Sequence, residues 1–320
     1  MRREKVGRFT AAAARCALCL LFAGLLVSCS INRLAVRTVA GFLSSSGTST
    51  VFTGDDDPEL VRDALPFALK TYESLLAQDP GNAPLALTTG SAFASYAYAF
   101  VQIPSDELPA DQVDRQQVGH ERAKRLFLRA RRYVLQGLDV RRPGFSAALE
   151  GQSADAALRL VHRDDIDYLY WTAATWLGAF SADPYDFSLI VAIPRAVTIL
   201  QQVLSWDPGY GEGGAQQILI SFYGTAPANL GGSEEKARES YGRAVQYSKG
   251  HRAGPYIALA TAVSVKRQDA AEFRDLLARA LAVDPNAAPA DRLQNTIDQR
   301  RARWLLDNMD RFFLDQGDNG

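Results

Sequence analysis

Cysteine is nearly absent from this chain: there are three in 320 residues, at positions 16, 19 and 29. Beyond residue 29 the sequence can therefore build no disulfide, no cysteine nucleophile and no thiolate metal site. Histidine is as scarce. His120, His162 and His251 form no spaced pair, and a zinc site needs three or four ligands within reach of one another, so no metal is expected. No Gly-x-Ser-x-Gly elbow occurs, which removes the commonest setting for a serine nucleophile. An excess of positive charge is missing too, with 35 basic residues against 36 acidic ones. A nucleic-acid partner would need a basic stripe to meet its phosphates, so none is expected. Runs of β-branched residues are few while alanine is abundant, which favours helix over sheet.

One apolar run stands out, and it lies at the N-terminus. Arg2, Arg3, Lys5, Arg8 and Arg15 lead into a near-uncharged segment from Cys16 to Val27. That is the layout of a secretory signal, and it is shorter than the ~20 residues that span a bilayer as a helix. It closes on Leu26-Val27-Ser28-Cys29, a Leu-x-Ser-Cys ending that resembles a bacterial lipobox. The resemblance implies cleavage before Cys29 and acylation of that residue, and two or more acyl chains anchor a protein stably to a membrane. Cys16 and Cys19 would leave with the signal. So would five basic residues against Glu4 alone, leaving an acidic mature chain. No later segment is expected to cross a membrane. The expected organisation is a signal at 1–28, an anchor and N-terminal helical segment at 29–50, with helical periodicity from Ile31 to Leu43, and a helical-repeat domain at 51–320.

The domain opens on a strong helix start. Asp57 is placed to cap free amides, Pro58 fits the first turn and Glu59 complements the helix dipole, predicting a helix that runs to about Gln78. One helix ending then recurs. It closes at Asp79-Pro80, at Asp207-Pro208, at Asp284-Pro285 and, more weakly, at Arg142-Pro143. Each is an amphipathic stretch stopped by a residue that cannot continue the ladder. Counting back from the proline, three copies place an apolar pair four residues apart: Tyr72 and Leu76, Leu200 and Leu204, Leu277 and Leu281. The ending resembles helix B of a tetratricopeptide repeat. The prolines do not follow one spacing of ~34 residues, so the expected fold is all-α, an irregular tetratricopeptide-like array with extra helices between the recognisable ones.

Several motifs invite chemistry. Gly209-x-Gly211-x-x-Gly214 matches the dinucleotide fingerprint by letter, but that fingerprint needs a preceding strand; here a helix and Asp-Pro precede it, so the expected role is a turn. Gly231-Gly232-Ser233-Glu234-Glu235 reads as a structural turn feeding a helix capped by Ser233. Asp164 and Asp167 sit at the start of an aromatic helix, where the dipole favours negative charge. The aromatic set is denser: Tyr168, Trp171, Trp176, Tyr185, Tyr210, Phe222 and Tyr223. At ~100° per residue, Tyr168, Trp171 and Trp176 do not share one helix face. Two readings stay open. The rings pack helix on helix, or they line a cavity whose apolar walls hold a small ligand.

Between Asp167 and Gly250 the pattern becomes specific: Tyr168-Leu-Tyr-Trp171, Trp176-Leu-Gly178, Asp207-Pro-Gly-Tyr210, Gly213-Gly214, Pro227-Ala-Asn-Leu-Gly231-Gly232-Ser-Glu-Glu-Lys236-Ala and Tyr241-Gly-Arg-Ala244. This order, together with the lipobox, resembles the TatT family of repeat-containing lipoproteins associated with TRAP-type transporters. The Arg142-Pro143 ending and the weakly patterned stretch from Pro104 to Arg115 depart from it. The resemblance implies a homotrimer without a cofactor, tied to a membrane by its lipid anchor. It also implies a TRAP-type periplasmic substrate-binding protein as partner, and a hole in each protomer that passes a small apolar or organic-acid ligand. The anchored chain would face the periplasm, with the outer membrane favoured by Ser30 after the lipidated cysteine. The alternative function is a helical-repeat scaffold for envelope assembly with no ligand path, and a non-enzymatic role is expected in either case.

Overall fold

The computed structural model describes residues 51–151 and 153–314. The signal, Cys29 and the expected helix at 31–43 lie outside the described residues. What is described is all-α, with no strand among the described residues. The helices are α1 (Pro58–Gln78), α2 (Ala83–Ala97), α3 (Ile103–Asp106), α4 (Val113–Arg141), α5 (Phe145–Gly151), α6 (Ala154–Leu158), α7 (Ile166–Ala182), α8 (Phe187–Trp206), α9 (Gly214–Thr225), α10 (Glu234–Tyr247), α11 (Gly254–Leu259), α12 (Val265–Arg267), α13 (Ala270–Ala282) and α14 (Arg292–Asp307).

Local chemistry sets the helix ends. The Leu60 amide donates to the Asp57 carboxylate at 3.0 Å, with Pro58 in the first turn. Asp186 and Asp269 cap α8 and α13 through their carboxylates, and the Ser233 hydroxyl caps α10. Each such cap is worth about 1 kcal/mol. The helices stop before Pro80, Pro143, Pro208 and Pro285, because a proline there can give no amide to the ladder.

The helices pack in sequence: α1 on α2, α2 on α4, α4 on α7, α7 on α8, α9 on α10, α11 on α9 and α13, and α13 on α14. One largely continuous core runs through these pairs, with Phe145, Leu149, Leu169, Ile199, Leu200, Ile220, Phe273 and Leu277 essentially sealed from solvent. A sealed side chain of this size contributes about 1.5–3 kcal/mol. The array then returns on itself. α14 packs against α1, Arg300 of α14 pairs with Glu59 of α1, and Arg292 donates to the Gly54 carbonyl.

One expectation needs correction. α8 is 20 residues long and apolar enough, by length and composition, to cross a membrane, although no segment after the signal was expected to be. It packs against α7 as a bundle helix, with Leu189, Ile193, Ala196, Ile199 and Val203 buried. The apolar excess lies on its other side, where Phe187, Val191 and Pro194 are exposed.

Candidate functional site

The closing contact gathers polar side chains from α3, α4 and α14. α2 does not end at Ala97; it widens into a π turn over Tyr98–Gln102 and resumes as α3. Such insertions are frequent at functional sites, and a second one lies at Ala260–Ser264. The first precedes Asp106 and Glu107. α4 crosses close by at Gly119, where a Cβ would lie 1.9 Å from the Ser105 hydroxyl. That close approach brings His120 to Asp106, 2.8 Å between Nε2 and Oδ1. Arg301 of α14 donates to the other oxygen of Asp106 at 3.1 Å. Asp106 thus joins α3, α4 and α14. Its hydrogen bond to His120 holds the imidazole in its charged form to higher pH than usual.

Two carboxyl groups nearby are disfavoured as anions. Burial raises Glu107, and burial raises Asp298 to about 6 even though Gln294 donates to it and the charges of Arg301 and Arg252 act the other way. Glu107 Oε1 and Arg301 Nη1 are both buried and without a protein partner. Glu107 and Arg301 lie in each other's field.

A wall of aromatic rings is formed by α7 and the turn after α8. Tyr170 of α7 stands edge-on to Trp171 at 5.2 Å and tilted on Tyr210 at 4.9 Å between ring centres. The Tyr210 hydroxyl donates to Asp167 at 2.5 Å. Arg252 donates to both oxygens of Asp291, at 3.0 and 2.5 Å, and to the Gly211 carbonyl at 2.8 Å. The charges of Arg252 and Asp291 both act on Asp298. Tyr98 and Tyr170 are surrounded by protein, which raises their phenol pKa, yet each keeps some solvent-accessible surface.

The aromatics nominated by sequence divide among several settings. Trp171 and Tyr210 belong to this wall. Tyr168 is buried under the Arg141 guanidinium at 5.3 Å, with its hydroxyl pushed up to about 12 by burial. Trp176 is buried with Arg131 at 4.0 Å and Arg195 at 5.8 Å from its ring centre. Phe222 and Tyr223 line a separate open cleft of about 220 Å³ with Pro194, Val197, Leu230, Gly231 and Lys236. Tyr185 is 91 % exposed and shares none of these settings. In the turn below the cleft, Gly231 has φ +97°, and a Cβ on Gly232 would meet the Ala226 carbonyl oxygen at 1.8 Å. Asp164 pairs with Arg141 and Arg142, while Asp167 takes the Tyr210 bond.

Sequence reasoning missed Tyr98, Glu107, Arg252, Asp298 and Arg301. A signal was present for one of them: Asn295, Asp298, Ala302 and Leu305 follow core spacing along α14 and all four are buried, so a carboxylate occupied a core position.

A family model described as the TRAP transporter T-component matches residues 54–313. A protein of Treponema pallidum (strain Nichols), itself described only as an uncharacterized protein, is 36% identical over 314 residues, spanning 93% of this chain and 96% of its own length.

Proposed function

The chain belongs to the TRAP transporter T-component family, and from that premise we propose that it works as a lipid-anchored homotrimer that docks a TRAP-type substrate-binding protein. Members of this family are transport accessories, not enzymes. In our reading Cys29 carries the anchor, the body faces the periplasm, most simply from the outer membrane, and each protomer passes a small apolar or organic-acid ligand along its inner wall. The observation that supports this reading is the return of α14 to α1 and α3, which brings Arg301 onto Asp106 beside the partly exposed Tyr98. Aromatic rings with a few convergent polar groups are the usual lining of a small-ligand site.

A second reading is a helical-repeat scaffold for envelope protein assembly with no ligand path. It draws on the exposed Tyr185, Phe187 and Val191 at the start of α8, since clustered exposed apolar side chains mark contact surfaces. The test is the mass of the full-length protein in mild detergent, alone and mixed with a TRAP-type binding protein from the same genome, by light scattering on a sizing column. A trimer that enlarges on mixing supports docking. Tritiated or fluorescent ligand carried by the binding protein, and lost to the complex, separates the first reading from the second.

A further inference from the structure

Among the described residues the exposed aromatic side chains are Phe67 on α1, and Tyr185 and Phe187 at the start of α8. Phe67 is 80 % exposed, and it does not stand alone. Val61, Leu65, Leu69, Tyr72 and Leu76 turn one side of α1 to the core. Leu60, Ala64 and Phe67, spaced i, i+4 and i+7, form an exposed apolar row on another side. Asp63 lies one turn before Phe67 and is exposed. Its ion-pair partner is the adjacent Arg62, also in water, so the pair holds it only weakly. Asp56, Asp57 and Glu59 are exposed just upstream, which makes this end of α1 acidic.

The face of opposite character belongs to α8. Its exposed row, Phe187, Val191 and Pro194, repeats the spacing i, i+4, i+7. The row runs into the open cleft of about 220 Å³, where Pro194 and Val197 face Phe222, Tyr223 and Leu230. A cavity of about 150 Å³ is enough to hold benzene, so the cleft has room for one aromatic ring. Lys236 also lines it. Its ammonium is exposed, 5.6 Å from the Tyr223 ring centre, and is paired with no carboxylate among the described residues.

One face thus offers an aromatic knob with an acid one turn away, and the other an apolar socket with an unpaired cation. Two unlike, complementary faces on one chain are what a ring of identical subunits needs, because a ring closes through heterologous contacts. We propose that Phe67 of one protomer seats in the Phe222–Tyr223 cleft of the next, with Asp63 on Lys236 and the α1 row against the α8 row. The proposal rests on the reading of the chain as a homotrimer and names the faces that close it. A ring side chain buried in a pocket at the centre of a contact is the usual form of an interface hot spot. The contact also gives the apolar excess of α8 a protein cover.

The test is cross-linking of the full-length protein in mild detergent. Beyond residue 29 the chain has no cysteine, and the wild type treated alike sets the background from the three native ones. Ala64→Cys and Gln201→Cys flank the knob and the socket and leave Phe67, Asp63 and Lys236 in place. Together in one chain, with a short bis-maleimide, they should give covalent dimer and trimer. Each alone should give background only, because a heterologous contact does not bring two copies of one face together. Phe67→Ser should keep helix content and thermal midpoint near wild type, yet raise at least tenfold the protein concentration at which the oligomer dissociates, read by light scattering. Asp63→Lys and Lys236→Asp should each weaken assembly, and the two together should restore it. No dimer or trimer above background in the double-cysteine variant overturns the proposal, as does equal cross-linking by Ala64→Cys alone. So does a Phe67→Ser variant of wild-type mass that loses binding to anionic phospholipid vesicles or to the TRAP-type binding protein, which would assign the row to lipid or to that protein. A wild type that is trimeric while the cross-link fails removes these faces and leaves the homotrimer standing; a monomeric wild type removes both.

Discussion

Arg301 donates to Asp106 across 3.1 Å although 195 residues of chain separate them. That bond ties the last long helix to the end of the π-widened α2–α3 segment. The same carboxylate holds His120 from α4, so three elements meet on one side chain, and the account of the closed array depends on it.

Asp106→Asn removes the anion that both partners use. Arg301 would then be left largely buried with no ion-pair partner. The loss should be about 2 kcal/mol in urea unfolding at pH 7, below the full cost of breaking a buried pair because Asp106 keeps some contact with water. The His120 pKa, raised by this bond, should fall, as read by NMR titration. A raised imidazole pKa gives stability that is complete below the unfolded value and is lost as pH rises through the folded one. The wild type should therefore lose stability as pH rises through the window above ~6.5, and Asp106→Asn should lack that part of the decline.

Asp298 carries a stability cost. Its carboxyl is buried, with a pKa pushed to about 6 from 3.8. A folded carboxyl with a raised pKa keeps its proton where the unfolded chain has lost it, so stability falls as pH rises from about 4 to about 6 and stays lower beyond. The shift corresponds to roughly 3 kcal/mol at most. Asp298→Asn, which still accepts the Gln294 bond, should raise the thermal midpoint at pH 8 and change it little at pH 4. A variant less stable at pH 8 than the wild type would contradict this. A costly buried acid facing Arg301, Arg252 and Asp291 fits a group retained for function.

Gly119 is a contact residue. A methyl group there would lie 1.9 Å from Ser105 Oγ and 2.7 Å from its Cβ. Gly119→Ala should push α3 off α4 and cost about 1–3 kcal/mol, the usual range for overpacking, despite the better helix propensity of alanine. Ser105→Gly in the same chain should recover part of the loss. Calorimetric unfolding of the single and double variants checks both.

Trp171 and Phe273 should part company when truncated. Phe273 is sealed and meets the rings of Phe312 and Phe313 at 6.2 and 5.0 Å; Phe273→Ala should cost about 3–5 kcal/mol. Trp171 is only partly buried, with its ring against Tyr170. Trp171→Ala should leave helix content near wild type and reduce severalfold the labelled ligand passed from the binding protein to the complex. Equal losses of stability at the two positions would assign Trp171 to the core.

Much of the architecture was legible in the sequence because its causes are local. Asp57 with Pro58, Ser233 before Glu234, and the prolines after Gln78, Trp206 and Ala282 mark helix ends by hydrogen-bonding rules that need no tertiary information. The family was legible through the order of motifs from Tyr168 to Ala244. The inner cluster was not, because its members come from distant elements: Tyr98 is turned by a π insertion that no propensity announces, and Asp106 meets Arg301 only after the array closes. The aromatic set was selected by density along the chain, which does not determine direction. Tyr185 ends exposed, Trp176 lies against Arg131 and Arg195, and Tyr170, outside that set, joins Trp171 to Tyr210.

The measurement that bears most directly on the account is the mass of the full-length protein in mild detergent, alone and with a TRAP-type binding protein from the same genome. The account predicts a trimer that shifts to a larger complex on mixing. A monomer that ignores the binding protein would contradict it.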